Sequence, residues 1–252
     1  MRVVVAGAAG LIGSRTVARL RDHGVEVVPL CRRDGADAAA EEVATAGDLR
    51  QALCGADVVV DLIDTASPAE QVSLHHFRSA TAGLLAAAEA AGVEHHVVLS
   101  FVGAERLLSG YFRAKLALEE QVRRSPIPHS IVRAAPCFES VEAMVLADAP
   151  GKDGVRVAPA LMRPVSADDV ATAVAHVAVG GPLYGTVCVA GPEEYRLDEL
   201  GAKLLAARGD TRDVITDPHA WFFGAALQQR TLLPGAHARV GHTTFDEWLA
   251  RR

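Results

Sequence analysis

The sequence of 252 residues contains no asparagine, and only three of its 25 basic residues are lysine. The net charge is −6 and no basic tail occurs, which argues against nucleic acid as a partner. No CxxC pair or HExxH motif is present, and the four cysteines lie far apart. The sequence therefore predicts neither a disulfide framework nor a metal site.

Long hydrophobic runs are also missing. The apolar run at the start, up to Ala6, ends in glycine and is too short for a signal peptide or a membrane span. Hydrophobic residues make up 50% of the chain and charged residues 22%, which is typical of an ordered protein with a sizeable core. We expect a cytoplasmic protein that acts on a small molecule, without a membrane or nucleic-acid partner.

Strand and helix patterns alternate along the first half of the chain. Strands are predicted at 2–6, 25–30, around Val43, at 57–63, 96–99 and 129–132, and helices at 11–23, 68–91 and 110–124. This alternation predicts an α/β fold, a doubly wound Rossmann parallel sheet. Later segments indicate a hairpin at 155–165, helices at 168–179 and 197–208, and a strand at 187–190. We expect one domain over 1–252, whose core at about 1–135 is interleaved with a small C-terminal α+β substrate lobe at about 136–252.

The string GAAGLIG at 7–13 falls in the first strand-to-helix turn. Gly7 would permit the tight turn, Gly10 would let a pyrophosphate approach the backbone, and Gly13 would let the helix pack closely. The first N–H groups of the helix and its dipole would then face the phosphates. The motif predicts a dinucleotide site formed by Gly7, Ala9, Gly10, Leu11 and Ile12.

The residues after the second strand bear on which dinucleotide binds. NAD sites usually carry an acidic residue there, which binds the ribose hydroxyls. Here Leu30 is followed by Cys31, Arg32 and Arg33. Guanidinium groups suit a 2′-phosphate, so the sequence favours NADP(H) over NAD(H). The alternative is that both arginines are a solvated surface pair.

A second group of candidate residues follows the fifth predicted strand. Ser100 ends that strand, and Tyr111 and Lys115 share one face of the next helix. Hydride transfer to a carbonyl requires a proton donor, and lowering a tyrosine pKa by about three units takes roughly 4 kcal/mol. One ammonium at about 4 Å supplies about that much. We expect Lys115 to lower the pKa of Tyr111 and Ser100 to orient the substrate oxygen. Ser100 capping a loop and Tyr111 packing on the lobe are the structural alternatives.

With these motifs the chain resembles an atypical or extended short-chain dehydrogenase/reductase of the NmrA-like NAD(P)-binding group. The similarity extends through LSFVGAERL (99–107), YFRAK (111–115), IPHSIVRAAPCFE (127–139), PVSADDVA (164–171) and VAGPEEYRLDEL (189–200). It implies a catalytic triad of Ser100, Tyr111 and Lys115, with Lys115 also binding the nicotinamide ribose. It further implies that the cofactor is lined by Asp48, Leu62, Ile63, Ala135 and Phe138.

The resemblance leaves the reaction open. Active relatives commonly relay protons through an asparagine, which this chain lacks, and Ser79, Thr81 or His76 is a candidate substitute. We predict an NADP(H)-dependent oxidoreductase that reduces a carbonyl, a quinone or a related small substrate. The alternatives are a non-catalytic NADP(H)-binding redox sensor and a non-redox isomerase or cyclase. Two further expectations concern the aromatics of the tail and one arginine. Trp221, Phe222 and Phe223 form either a substrate pocket or the core of the lobe. Arg133 either reaches the substrate or cofactor or, as we favour, pairs with a carboxylate such as Asp169.

Overall fold

A parallel sheet organises the chain. The computed structural model describes residues 1–30, 46–64, 70–147 and 154–251. Its strands are β1 (Arg2–Ala6), β2 (Glu26–Leu30), β3 (Val58–Asp61), β4 (His95–Phe101), β5 (His129–Ala134), β6 (Val155–Val157), β7 (Leu161–Met162), β8 (Gly185–Ala190), β9 (Tyr195–Arg196), β10 (Val214–Thr216), β11 (Trp221–Phe222), β12 (Ala225–Ala226) and β13 (Arg239–Val240). Seven of these strands form the central sheet in the order β2-β1-β3-β4-β5-β8-β13, and all neighbours in it run parallel.

Helices cover both faces of this sheet. They are α1 (Leu11–Asp22), α2 (Ala46–Leu53), α3 (Glu70–Ala91), α4 (Gly110–Arg124), α5 (Phe138–Ala147), α6 (Ala167–Val179), α7 (Leu197–Ala207) and α8 (Phe245–Ala250). Val3 and Val5 of β1 pack in one core with apolar residues of α1 and α6, whereas Val4 packs in another core with residues of α2 and α3. Successive strand residues point to opposite faces, so continuous valine runs suit a sheet that is buried on both sides. The predicted doubly wound fold is confirmed.

The C-terminal part contributes to the central sheet and also forms a lobe beside it. Strands β8 and β13 and helix α6 belong to the sheet layers, although they come after residue 135. In the lobe, the aromatic rings of Phe138, Phe245 and Trp248 pack against one another in stacked or tilted arrangements. Thr244 and Glu247 form a capping box at the start of α8. In the described ranges, no helix combines the length and the apolar character needed to cross a bilayer.

One predicted element is wrong, and two other expectations concern residues outside the described ranges. The predicted hairpin at 155–165 is wrong, because β6 pairs in parallel with β10 and β7 pairs antiparallel with β9. These partners lie far along the chain, and local patterning carries no information about them. The weak strand around Val43 and the residues Cys31, Arg32 and Arg33 lie outside the described residues.

The close packing of α1 against the first turn generates a stability prediction. A Cβ added at Gly13 would overlap the carbonyl oxygen of Gly7 and lie 2.9 Å from the Cα of Ala8. Gly13→Ala should therefore lower the free energy of unfolding by about 1–3 kcal/mol, measured by urea titration. Gly181→Ala is the matched control, because a Cβ there meets no atom within 4 Å. Equal stability of the two variants would contradict the packing described.

Candidate functional site

The glycine turn is tight and is held from two sides. Gly7 has a φ of 78°, in the left-handed region that favours glycine. Its N–H donates to the carbonyl oxygen of Leu30 at 3.2 Å, and the N–H of Gly10 donates to the carbonyl oxygen of Gly7 at 3.1 Å. A Cβ at Gly7 would lie 2.7 Å from the carbonyl oxygen of Leu62. The turn therefore requires glycine, because the chain after β3 passes directly against it.

The start of α1 suits a phosphate ligand. Gly10 is the N-cap, no side chain caps the helix, and its first turn carries no acidic residue. Ala9, Gly10 and Leu11 are exposed and Ile12 is half-buried. Among the described residues, a Cβ at Gly10 would meet only the carbonyl oxygen of Gly7, at 3.3 Å. With no side-chain cap or acidic group from the described residues at this helix start, the residues present fit a dinucleotide pyrophosphate.

The segment after β3 lies beside this turn. The N–H of Leu62 donates to the carbonyl oxygen of Ala6 at 3.0 Å, and the N–H of Ile63 donates to Asp61 Oδ1 at 3.1 Å. Asp64 follows with a side chain that is 54% exposed. Leu62 and Ile63 therefore lie where the sequence expects cofactor-lining residues.

The other residues predicted to line the cofactor are Asp48, Ala135 and Phe138, and they differ in burial and in the element that carries them. Asp48 is in the first turn of α2, a helix that the sequence analysis did not predict. Ala135 is buried, and its N–H donates a hydrogen bond to the carbonyl oxygen of Val189. The Phe138 ring is 1% exposed and packs in the lobe core, so its side chain does not face the cleft, contrary to expectation. Sequence patterns predict no helix at 138–147, whereas α5 begins at Phe138 and places this ring in the lobe core.

Tyr111 and Lys115 meet at one carboxylate. Helix α4 begins at Gly110, and its periodicity places both side chains on the same buried face. The Tyr111 hydroxyl donates to Asp64, with oxygen–oxygen distances of 3.1 and 3.2 Å. Lys115 Nζ lies 3.3 Å from Asp64 Oδ1 and 4.4 Å from the centre of the Phe77 ring. The prediction that Tyr111 and Lys115 lie together is confirmed, and Asp64 is a member that sequence reasoning missed as an individual residue.

The electrostatics of Tyr111 differ from the expectation. Burial, followed by the charge and the hydrogen bond of Asp64, raises the pKa of the Tyr111 hydroxyl well above its ordinary value. Lys115 alone therefore does not lower the pKa of Tyr111, contrary to expectation. The reason is that the ammonium is paired with Asp64, whose negative charge opposes ionisation of the phenol.

Ser100 is as buried as Tyr111, with 4% exposure each. It belongs to β4, and its hydroxyl has no hydrogen-bond partner at normal distance among the described residues. Burial opposes the lowered pKa of the nearby Glu119, which is caused by the Arg133 guanidinium and, less strongly, by the Ser100 hydroxyl. Among the described residues no hydrogen bond joins the Ser100 hydroxyl to the Tyr111 phenol, and the catalytic role of Ser100 stays a prediction.

Arg133 has a structural partner other than the expected one. Its Nε and Nη2 each lie 2.8 Å from a carboxylate oxygen of Glu119, and its Nη1 lies 2.7 Å from Glu105. Asp169, the expected partner, instead accepts hydrogen bonds from Ser166 and from the N–H of Thr243. The expectation of a structural ion pair is correct, but its partner was wrong.

The three aromatics of the tail have different environments. Phe222 is buried in the lobe core, whereas Trp221 is exposed. Phe223 lies at the tip between β11 and β12 with a φ of 47°, unusual for a bulky residue. Its ring stacks on Tyr111, with centroids 5.3 Å apart and an angle of 25° between the planes. Phe223 therefore covers the phenol, and the Tyr111 side chain keeps only 4% exposure.

A buried acid and a buried imidazole lie behind this site. Asp61 Oδ2 and His96 Nε2 are 3.9 Å apart, too far for a hydrogen bond. Neither that oxygen nor either ring nitrogen has a hydrogen-bond partner among the described residues. Burial raises the pKa of Asp61 from 3.8 to about 6 and lowers that of His96 from 6.5 to about 3. Both groups are thus pushed towards their neutral forms by desolvation.

The comparisons agree with this geometry. Residues 7–179 match the family model described as NAD(P)H-binding, so the chain belongs to that family. No curated protein sequence matches the chain significantly.

Solved structures share the fold at low identity. A dTDP-glucose 4,6-dehydratase from Streptomyces venezuelae, solved with NAD bound, superposes with a TM-score of 0.76 at 20% identity, covering 100% of this chain and 95% of that one. A UDP-glucose 4-epimerase from Thermotoga maritima gives 0.73 at 17% identity, covering 99% and 96%. A dTDP-4-dehydrorhamnose reductase from Clostridium acetobutylicum gives 0.70 at 19% identity, covering 93% and 90%. The chain thus has the fold of the extended short-chain dehydrogenases/reductases, whereas the NmrA-like subgroup stays a prediction.

The raised pKa of Asp61 gives a pH-dependent stability prediction. Between pH 3.8 and about 6 the folded state keeps a proton that the unfolded state has lost, so this group makes stability fall as the pH rises through that window. The cost above it is on the order of 3 kcal/mol. Asp61→Asn should therefore gain stability relative to the native protein by about that amount between pH 4 and pH 7, measured by urea titration at each pH.

Glu94→Gln is the control for Asp61→Asn, because Glu94 is an exposed carboxylate in the turn before β4. The free energy of unfolding of the Glu94→Gln protein should differ from that of the native protein by a small and constant amount over the same pH range. A pH-independent difference for Asp61→Asn would contradict the buried-carboxyl description.

Proposed function

We propose that the protein is an NADP(H)-dependent oxidoreductase that reduces a carbonyl, a quinone or a related small organic substrate. The observation that carries this proposal is the position of Tyr111 and Lys115. Both meet Asp64 immediately after β3, and the same stretch of chain contacts the glycine turn through Leu62. A proton donor and a cation therefore lie at the carboxyl edge of the sheet, where open α/β folds bind their ligands.

The chain's own groups supply the proton and the orientation. When bound, the reduced dinucleotide supplies the hydride. Tyr111 is buried and carries its proton, so it is the proposed donor to the substrate oxygen, but burial and Asp64 raise its pKa and make it a weaker acid than a free tyrosine. Lys115 places a positive charge beside the phenol and can bind ribose hydroxyls as well as Asp64. The proposed role of Ser100 in orienting the same oxygen has less support, because its hydroxyl lies beside Glu119.

One observation favours a second candidate function. Phe223 covers Tyr111, and the phenol is almost inaccessible in this structure. A non-catalytic NADP(H)-binding sensor would tolerate such a covered tyrosine, whereas a reductase needs the Trp221–Ala226 segment to move. A non-redox isomerase is the third outcome, since epimerases are among the structural neighbours.

Turnover tests the proposal directly. We expect steady consumption of NADPH with at least one member of a carbonyl and quinone panel, and a loss of about 100-fold or more in kcat for Tyr111→Phe. Tyr184→Phe is the matched control, because Tyr184 is an exposed tyrosine in the turn before β8. NADPH binding without turnover would favour the sensor, and product formation without net oxidation of NADPH would favour the isomerase.

Cofactor selectivity is a separate prediction. Arg32 and Arg33 follow β2 and are proposed to bind the 2′-phosphate through charge-assisted hydrogen bonds. The double variant Arg32→Ala, Arg33→Ala should weaken NADPH binding by about tenfold or more and leave NADH binding nearly unchanged, measured by calorimetry. Arg124→Ala, at an exposed position at the end of α4, is the control. Equal affinity of the native protein for NADH and NADPH would refute the selectivity.

A further inference from the structure

The carboxylate of Asp64 joins two groups that come from another element. Tyr111 and Lys115 project from α4, whereas Asp64 belongs to the segment that leaves β3. Asp64 Oδ1 lies 3.1 Å from the phenol oxygen and 3.3 Å from the ammonium nitrogen. One oxygen atom therefore accepts from the phenol and pairs with the cation.

Burial distinguishes the three members. The Tyr111 and Lys115 side chains are buried, whereas Asp64 is about half exposed. A buried ammonium without a counter-charge costs several kcal/mol, so Lys115 needs a compensating group. Asp64 supplies that charge, and the Phe77 ring adds a cation–π contact. Asp64 also gives the covered phenol a hydrogen-bonded connection to solvent.

We propose that Asp64 is a positioning residue, which anchors the Tyr111 phenol and the Lys115 ammonium on one carboxylate. The proposal rests on the proposed function and adds a residue to its site. The phenol has a single O–H, so its hydrogen bond to Asp64 must break before that proton can pass to a substrate oxygen.

The neighbouring charges do not replace Asp64 in this role. Among the described residues, the titratable groups around the centre are Asp61 from β3, His96 from β4 and Lys115 from α4. Asp61 lies behind the site, and its Oδ1 already accepts a hydrogen bond from the N–H of Ile63. Burial and Asp64 are the causes that keep the Tyr111 phenol protonated. Removing Asp64 therefore changes the phenol and the ammonium at the same time.

The cofactor-free protein provides a first test through its phenols. Tyrosinate absorbance is titrated in the native protein, Asp64→Asn and Asp64→Glu, each with and without Tyr111→Phe, so that the difference isolates Tyr111. We expect the Tyr111 midpoint in Asp64→Asn to fall by about one pH unit or more, and Asp64→Glu to stay close to native. Glu193→Gln is the matched control, because Glu193 accepts from Tyr195 and should leave Tyr111 unchanged.

The small number of lysines provides a second readout. Limited acylation at fixed pH is followed by mass spectrometry as the ratio of modified Lys115 to modified Lys203, a lysine on α7 of the lobe. Loss of Asp64 removes the partner that holds the buried Lys115 ammonium in place, so the ratio should rise about tenfold in Asp64→Asn. If the protein unfolds in alkali before Tyr111 ionises, the ratio of modified Lys115 to modified Lys203 tests the proposal by itself.

An Asp64→Asn protein with a native Lys115 ratio, and with a Tyr111 midpoint that does not fall, would overturn the proposal. Both readouts use protein without cofactor, so they are independent of turnover. A protein that reduces no substrate can still show the predicted changes, in which case only the proposed function fails. A protein that turns over NADPH but shows neither change retains its function and loses this role for Asp64.

Discussion

The contact between the glycine turn and the chain after β3 is the constraint on which the site depends. Gly7 has no Cβ and a positive φ, so the carbonyl oxygen of Leu62 can lie against it. This approach brings the carboxyl ends of β1 and β3 together with the start of α1. Two residues after Leu62, Asp64 then reaches the side chains of α4. The geometry of the glycine turn and the contact of Asp64 with Tyr111 and Lys115 are thus consequences of one backbone approach.

Some buried charged groups are compensated by a hydrogen-bonded partner, whereas others are not. Glu119 and Arg133 form a pair of hydrogen bonds on the α4 side of the sheet, where each group satisfies the other. Asp61 and His96 are buried without such bonds and are pushed towards neutrality, which reduces stability. Perturbed titratable groups of this kind cluster at functional sites, and these two lie next to the Tyr111 centre.

Sequence patterns predicted the features that depend on local periodicity. The valine run of β1, the glycine turn and the shared face of Tyr111 and Lys115 follow from strand and helix geometry alone. The sign of the Tyr111 pKa shift did not follow, because it depends on Asp64. That residue comes from a segment 47 positions earlier in the chain and carries no local signal.

Misassigned elements account for other errors. The pairing of β6 and β7 and the burial of Phe138 depend on contacts within the lobe, which no window of neighbouring residues contains. Ser100 was correctly placed on β4, but whether its hydroxyl meets the Tyr111 phenol depends on how α4 packs on the sheet.

The most direct measurement is a crystal structure of the protein with NADPH. The account predicts the pyrophosphate against the N–H groups at the start of α1, the nicotinamide C4 close to the Tyr111 hydroxyl, and Lys115 within hydrogen-bonding distance of the nicotinamide ribose. A dinucleotide bound away from the glycine turn would contradict the account. So would a nicotinamide ring remote from Tyr111.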